Sequence, residues 1–148
     1  MKGVFHLTNN LTELMATDVI TVTPDQSIQE AAILMKQHDI GSIPVIENKK
    51  LVGIITDRDI TLRSTAEGKD THIPIAQCMS TNLTVANPKT DINEAAAIMA
   101  EHQIRRLPIV DNGELVGIVA IGDLAIHTDL IDEAGVALSE ISEHHHHS

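Results

Sequence analysis

The sequence has few of the residues that nucleic-acid binding and disulfide formation require. Phe5 is the only aromatic residue among the 148, so the chain has no platform on which the bases of a single strand could stack. Ten lysines and arginines against 21 aspartates and glutamates give a net charge of −11, which disfavours general binding to duplex nucleic acid. The single cysteine, Cys78, excludes an internal disulfide and favours a reducing cytoplasm.

Long apolar runs are also missing. No run in the sequence approaches the ~18–20 residues that a membrane-spanning helix requires. The first residues, MKGVFHLTNNLTEL, lack the apolar stretch of a signal peptide. Apolar residues make up 43% and charged residues 21%, which is typical of a globular chain. We therefore expect a folded cytoplasmic protein that binds neither membranes nor nucleic acids.

The chain repeats itself at an offset of 64 residues. The tetrapeptide Leu-Val-Gly-Ile occurs at 51–54 and again at 115–118. Other identical pairs in the same register are Met15 and Met79, Pro44 and Pro108, and Asp59 and Asp123. An offset this long exceeds the ~20–50 residues of solenoid repeats, so it indicates duplication of a small domain.

Each copy predicts the same order of elements, β-α-β-β-α. The first helix opens at Ser27 or Asp91 with a glutamate three residues later, which is the signature of a capping box. An Asn-Gly pair at 112–113 is a strong hairpin signal. A second helix begins near Asp57 and near Gly122. The predicted strands are 19–22, 43–46 and 51–55 in the first copy, and 83–86, 107–110 and 115–120 in the second.

A copy of this size buries too little surface to be stable alone. We therefore expect an α/β fold in which the two copies pack together with pseudo-twofold symmetry. The predicted division is copy one at 10–66, a linker at 67–72, copy two at 73–129, and a C-terminal helix with a His-rich tail at 130–148. Apolar residues at helical spacing in the tail predict a helix that closes the fold or forms an oligomer. The histidines at 144–147 are either native or the remnant of a purification tag.

No catalytic motif is visible in the sequence. It contains no Gly-x-x-x-x-Gly-Lys phosphate loop, no Gly-x-Gly-x-x-Gly turn, no His-Glu-x-x-His motif and no Gly-x-Ser-x-Gly elbow. Cys78 lies in an apolar stretch and is interpreted as a small buried hydrophobe. His38 and His102 fall at the ends of predicted helices, where the dipole favours them, rather than at a metal. We expect neither an enzymatic activity nor a metal site.

A first polar cluster follows the last strand of copy one directly. The strand continues into Thr56-Asp57-Arg58-Asp59, so Thr56 and Asp59 share one turn at the start of a helix. That end has free N–H groups and a partial positive charge, which suit an anion. Asp59 could accept both hydroxyls of a ribose, or it could simply cap the helix.

A second cluster precedes the proline-containing strand of copy two. Arg105 and Arg106 stand where copy one has Gly41 and Ser42. They are the densest positive point of an acidic chain, and the planar guanidinium binds phosphate bidentately. They either contact a phosphate or form a solvated pair that offsets nearby acidic residues.

These motifs together resemble a known family. The duplicated unit, the Ile-x-x-(Ile/Leu)-Pro-(Val/Ile) strand and the Gly-Ile-x-Thr-x-x-Asp junction are similar to tandem cystathionine-β-synthase (CBS) domains, also called a Bateman module. The resemblance covers most of the chain. It implies two clefts between the paired repeats, which bind an adenine-containing ligand such as AMP, ADP, ATP or S-adenosylmethionine.

The resemblance also implies which residues form each cleft. In the family the Asp of Thr-x-x-Asp holds the ribose, basic residues ahead of the proline-containing strand reach phosphates, and the segment before the first strand lines the cleft of the opposite repeat. One cleft would thus use Gly41, Ser42, Ile43, Pro44, Thr56, Arg58 and Asp59, with Thr81 from the other copy. The second would use Arg105, Arg106, Leu107, Pro108, Gly122 and Asp123, with Thr17 from the first copy.

Each cleft departs from the family pattern. Copy two has Ala120 in place of the threonine, and copy one lacks the arginine pair. We expect the Asp59 cleft to hold the ribose, with Arg105 or Arg106 assisting at phosphates. The implied function is a non-enzymatic, ligand-sensing regulatory module that acts as a homodimer on an unidentified protein. The alternative is a module for dimerisation or protein interaction whose clefts are vestigial.

Overall fold

The computed structural model describes residues 11–126 of the chain. The predicted C-terminal helix and His-rich tail at 130–148 lie outside the described residues. In order along the chain, the elements are α1 (Ile28–His38), β1 (Ser42–Glu47), β2 (Lys50–Thr56), α2 (Asp57–Ile60), α3 (Ile92–His102), β3 (Arg106–Asp111), β4 (Glu114–Ala120) and α4 (Ile121–Ile126). Within 11–126, no helix is long and apolar enough to cross a membrane.

Three short helical turns complete the secondary structure. Matching 3-10 turns, Leu11–Glu13 and Ile75–Gln77, precede the first helix of each copy. A π-helical turn, Thr61–Thr65, continues α2. The two 3-10 turns lie at the repeat offset of 64 residues, so they are equivalent parts of the duplicated unit.

The four strands form an antiparallel sheet in the order β1-β2-β4-β3. Strands β1 and β2 pair from Ser42 opposite Thr56 to Glu47 opposite Lys50. Strand β2 pairs with β4 at Lys50 and Glu114. The predicted mixture of helices and strands is therefore confirmed.

The predicted first strand of each copy is wrong in extent. The runs at 19–22 and 83–86 are each reduced to one parallel bridge, Val22 with Val45 and Ala86 with Ile109. A proline follows each bridge two residues later, at Pro24 and Pro88, and proline has no N–H to donate to a ladder. The chain therefore leaves the sheet after a single residue.

The two predicted capping boxes have different outcomes. Ser27 caps α1, since its Oγ accepts a hydrogen bond from Glu30 N at 3.1 Å. The Glu30 carboxylate accepts from Gln26 Nε2 instead of completing the box. Asp91 occupies the cap position of α3 without a side-chain cap bond, and its buried Oδ1 has no hydrogen-bond partner in the described part of the chain. The capping box predicted at Asp91 is therefore wrong.

Contacts divide the chain into two compact units. The Asp59 unit comprises 20–83 and 113–115, and the Asp123 unit comprises the described residues 11–19, 84–112 and 116–126. Each unit thus includes a lead segment from the other copy: the first lead segment (residues 11–17) belongs to the Asp123 unit and the second (residues 75–81) to the Asp59 unit. The predicted boundaries at 10–66, 67–72 and 73–129 describe repeats in sequence and stay a prediction.

Each unit has its own hydrophobic core, and a lead segment contributes to it. Ile75 is wholly buried in the core of the Asp59 unit, and its equivalent Leu11 is wholly buried in that of the Asp123 unit. Full burial of such a side chain stabilises by about 1.5–3 kcal/mol. Cys78 is also fully buried, which confirms its interpretation as a small hydrophobe, and burial raises the pKa of its thiol.

Both hairpins turn through two residues with positive φ. The angles are 52° at Asn48 and 70° at Lys49 in the first hairpin, and 54° at Asn112 and 83° at Gly113 in the second. Positive φ at both central positions is the geometry of a type I′ turn, so the hairpin predicted from Asn-Gly is confirmed. Lys49 adopts the same conformation with a side chain, which costs energy that glycine avoids.

Replacing Lys49 with glycine is expected to stabilise the chain by about 0.5–1 kcal/mol, because relief of the left-handed strain exceeds the added chain entropy. The reciprocal change, Gly113→Ala, is expected to destabilise by a similar amount. Urea unfolding of both variants beside the wild type measures the two effects. A Lys49→Gly variant that is less stable than wild type would contradict the turn assignment.

Candidate functional site

The second lead segment crosses β2 near its end in the Asp59 unit. Ser80 N donates to Ile54 O at 2.8 Å, and Ile54 N donates to Ser80 O at 2.9 Å. A Cβ on Gly53 would lie 2.6 Å from Met79 Sδ and 3.0 Å from Ser80 O. Only glycine permits this approach, which brings Ser80 and the exposed Thr81 to the junction between β2 and α2.

A complete capping box forms that junction. Asp59 N donates to Thr56 Oγ1 at 3.0 Å, and Thr56 N donates to Asp59 Oδ2 at 3.0 Å. Two N–H groups at the start of α2 are thereby satisfied by two side chains. The Asp59 carboxylate therefore takes part in capping the helix, which was one of the two roles that the sequence allowed for it.

The second oxygen of Asp59 faces the lead segment. Ser80 Oγ donates to Asp59 Oδ1 at 3.4 Å, and Arg63 Nε lies 3.9 Å from the same oxygen. The Asp59 side chain is 12% exposed, so it is not turned out into solvent. A carboxylate offers about four lone-pair positions in all, so this group retains acceptor capacity beyond its cap bond. Chemically, Asp59 can accept hydrogen bonds from hydroxyl groups.

The start of β1 is fixed beside the same junction. Asp57 N donates to Gly41 O at 2.9 Å, and Ser42 is the register partner of Thr56. A Cβ on Gly41 would lie 3.1 Å from Asp57 Oδ2, so the space here is narrow. The structure thus brings together Gly41, Ser42, Thr56, Asp59 and the lead segment that carries Thr81, whereas Arg58 is exposed on the helix.

Four of the predicted site residues are buried. Ile43 and Leu107 have no exposed surface and belong to the two cores, and Pro44 and Pro108 next to them are buried in their strands. The structure therefore places these residues in the interior, where they hold the strands that carry their neighbours.

The Asp123 unit repeats this backbone arrangement. Ala16 N donates to Ile118 O at 2.8 Å, and Ile118 N donates to Ala16 O at 2.9 Å. A Cβ on Gly117 would lie 2.9 Å from both Ala16 O and Met15 Sδ. The exposed Thr17 follows directly, as Thr81 does in the Asp59 unit.

The junction between β4 and α4 matches its counterpart in backbone but differs in side chains. Ile121 N donates to Arg105 O at 2.8 Å, which is the equivalent of the Asp57–Gly41 bond. Ala120 has no hydroxyl, and its N donates to Asp123 Oδ2 at 3.4 Å. Gly122 is exposed, and Asp123 is partly buried. Asp123 is therefore held at a longer distance than Asp59.

The two predicted arginines differ in burial. Arg105 is exposed, while Arg106 is half-buried as the first residue of β3. Burial lowers the pKa of the Arg106 guanidinium, although the group stays protonated at neutral pH. A partly desolvated cation attracts an anion more strongly than a fully hydrated one. Arg106 is thus suited to a phosphate.

Sequence reasoning missed three residues of the junction in the Asp59 unit. Gly53 had a usable signal, because it recurs as Gly117 within the repeated Leu-Val-Gly-Ile. Ser80 and Arg63 had none, since they lie 21 and 4 residues from Asp59 and neither residue type recurs at the repeat offset. The residue equivalent to Arg63 is His127, and the residue equivalent to Ser80 is Ala16 in the first lead segment.

Gly53→Ala is expected to destabilise the chain by about 1–3 kcal/mol, because the new Cβ would overlap Met79 Sδ and the Ser80 backbone. Gly122→Ala serves as the control, because a Cβ there meets nothing within 4 Å. Thermal unfolding of both variants tests the expectation. Equal melting temperatures for Gly53→Ala and wild type would refute the close crossing.

Comparison with known proteins gives the family. A model of the CBS domain matches residues 11–64 and 75–127. The chain is 52% identical over 139 residues to the CBS domain-containing protein YhcV of Bacillus subtilis (strain 168), a match that covers 94% of this chain and 99% of that protein. It is 38% identical to the inosine-5'-monophosphate dehydrogenase of Korarchaeum cryptofilum, over 72% of this chain and 22% of that enzyme.

Solved structures are similar as well. An uncharacterized conserved protein from Pyrococcus horikoshii is 35% identical with a TM-score of 0.69, over 80% of this chain and 91% of that one. CBSX2, solved in complex with AMP, is 26% identical with a TM-score of 0.73, over 83% of this chain and 98% of that one. The chain therefore belongs to the CBS domain family, and it is a CBS domain pair, a regulatory module.

Proposed function

We propose that this CBS domain pair senses an adenine nucleotide or nucleoside, whose ribose binds the carboxylate of Asp59. The observation that carries the proposal is the position of that carboxylate. It is largely buried, its Oδ2 is fixed by the Thr56 N–H, and its Oδ1 faces the lead segment with Ser80. The AMP complex of CBSX2 supports the adenine class of ligand.

The ribose diol matches the chemistry of this carboxylate. Two adjacent hydroxyls can donate to a charged acceptor, and each such bond contributes about 1.5–3 kcal/mol. The acceptor is already oriented by its cap bond, so binding does not have to order it. Thr81 stands at the rim of the same junction and is the second hydroxyl group that a sugar would meet.

The adenine base must bind without aromatic stacking. Packing about 150 Å² of adenine surface against aliphatic side chains contributes nearly 4 kcal/mol at about 25 cal/mol per Å². The sugar bonds add to this and the cost of association subtracts, which leaves an affinity of roughly micromolar to millimolar. That range suits a sensor of a nucleotide pool.

Phosphates are assigned to the arginines of the Asp123 unit. Arg105 and Arg106 precede β3 there, and the bond from Ile121 N to Arg105 O fixes them beside the junction that carries Asp123. These two arginines would bind a ligand that carries one or more phosphates, because a planar guanidinium can donate two hydrogen bonds to one phosphate. The Asp59 unit has Gly41 and Ser42 at these positions, so its ligand selectivity rests on the sugar.

The proposed role is regulatory rather than catalytic. The dehydrogenase match covers 22% of that enzyme, so it concerns the CBS portion alone. The homodimer, the regulated protein and the cytoplasmic location expected from the sequence belong to the same proposal.

A pure interaction module is the competing function. One observation favours it, because the capping box accounts for the Asp59 carboxylate without any ligand. The vestigial clefts of that alternative would bind no nucleotide.

Asp59→Asn is expected to weaken binding of adenosine and AMP at least about tenfold, because a neutral amide oxygen replaces a charged acceptor. The variant retains an oxygen that can accept the cap bond, so its fold is preserved. Asp39→Asn is the matched control: Asp39 is exposed, and asparagine tolerates its left-handed conformation, with φ of 54°. Titration calorimetry with adenosine, AMP, ADP, ATP and S-adenosylmethionine measures the affinities.

The absence of heat with all five ligands, joined to an unchanged melting temperature, would refute the sensor and leave the interaction module. Equal affinities for wild type and Asp59→Asn would show that the ribose binds elsewhere.

Arg106→Ala is expected to weaken AMP binding in the Asp123 unit about tenfold and to leave adenosine binding in the Asp59 unit unchanged, because it removes only a phosphate partner of the Asp123 unit. Lys89→Ala removes the same charge from an exposed position in the same unit and controls for the net charge. The same calorimetric titrations provide the comparison. A parallel loss for adenosine and AMP would mean that Arg106 supports the fold rather than the phosphate.

A further inference from the structure

Arg63 connects the second lead segment with the Asp59 carboxylate. Its Nη1 donates to Cys78 O at 3.3 Å and to Met79 O at 3.2 Å. Its Nε lies 3.9 Å from Asp59 Oδ1. One guanidinium thus contacts two parts of the chain. The first is the lead segment, at Cys78 and Met79, which lie 15 and 16 residues further along the chain. The second is Asp59, four residues earlier.

The two carbonyls that Arg63 binds stand at the end of a helical turn. The 3-10 turn Ile75–Gln77 ends immediately before Cys78. Carbonyls at such an end have no partner within the turn and need one from outside. Arg63 supplies that partner and thereby fixes the chain just before Ser80.

Asp59 and Arg63 share a face of the same helical stretch. They are four residues apart, a spacing that brings side chains together on a helix, and Arg63 extends from the π-helical turn Thr61–Thr65. Ser80 Oγ reaches Asp59 Oδ1 from the lead segment, so the same oxygen has a partner from each side. The Arg63 side chain is 54% exposed, and an ion pair of that exposure adds little to stability. Its effect is therefore on geometry.

We propose that Arg63 is a positioning residue of the adenine site: it holds residues 78–81 and Asp59 Oδ1 in the binding geometry before the ligand arrives. The ligand part of this inference rests on the proposed function. The Asp123 unit has Ala16 at the position of Ser80 and Ala120 at that of Thr56, so its carboxylate has neither hydroxyl. The Asp59 site is thus the preorganised one of the two.

The first experiment needs no ligand. Amide hydrogen exchange, followed by NMR, reports the two bonds between Ile54 and Ser80. In Arg63→Gln we expect both amides to exchange several-fold faster, whereas amides of the β1–β2 ladder keep their wild-type protection. Lys36→Gln, an exposed lysine of α1, removes the same charge from the same unit and should change neither. Arg63→Lys keeps the charge and is expected to recover part of the protection.

The second experiment compares adenosine with AMP by calorimetry. A positioning residue acts through Asp59 and the lead segment, so Arg63→Gln should weaken both ligands by the same factor, about three- to tenfold. Loss for AMP alone would mean that Arg63 touches the phosphate, which overturns the positioning role.

The two experiments separate the inference from the proposed function. Unchanged exchange at Ile54 and Ser80 in Arg63→Gln refutes the inference whether or not a ligand binds. Faster exchange at those amides in Arg63→Gln, together with a wild type that binds neither adenosine nor AMP, refutes the adenosine site but keeps Arg63 as the residue that fixes the lead segment. If Arg63→Gln fails to fold, Arg63→Lys carries the same comparison.

Discussion

The carboxylate of Asp59 is held between two chain segments that can approach each other because Gly53 has no side chain. The lead segment crosses β2 at this glycine and exchanges two backbone hydrogen bonds with Ile54. That crossing brings Ser80 to one carboxylate oxygen, while the Thr56 N–H fixes the other. Without the crossing, Asp59 would be an ordinary helix cap. With it, the capping group also faces a second segment, which makes Asp59 the centre of the candidate site.

Duplication has preserved the backbone of this site and changed its side chains. The crossing bonds measure 2.8 and 2.9 Å in both units, and the bond that ties helix to strand measures 2.9 Å at Gly41 and 2.8 Å at Arg105. Backbone contacts of this kind depend on glycine and on chain direction, so they tolerate exchange of the surrounding residues. One unit therefore presents hydroxyls around a carboxylate, and the other presents two arginines. The same duplicated backbone thus carries two different sets of polar side chains.

The sequence was sufficient for the features that depend on local chemistry. Asn-Gly at 112–113 and the serine at 27 identified a turn and a helix start, because neighbouring atoms decide both. The strands at 19–22 and 83–86 were overestimated, since only a tertiary contact decides how far they pair. Ser80 and Arg63 escaped notice for a related reason. Their contacts join Asp59 to a segment from the other copy, and neither residue type recurs at the repeat offset.

The central claim is that the Asp59 carboxylate accepts the ribose diol, and removing the diol from the ligand tests it most directly. Calorimetry would compare adenosine with 2',3'-dideoxyadenosine on the wild type and on Asp59→Asn. The account predicts that the wild type prefers adenosine by about tenfold or more, and that most of this preference disappears in the variant. An equal preference in both proteins, or none in the wild type, would contradict it.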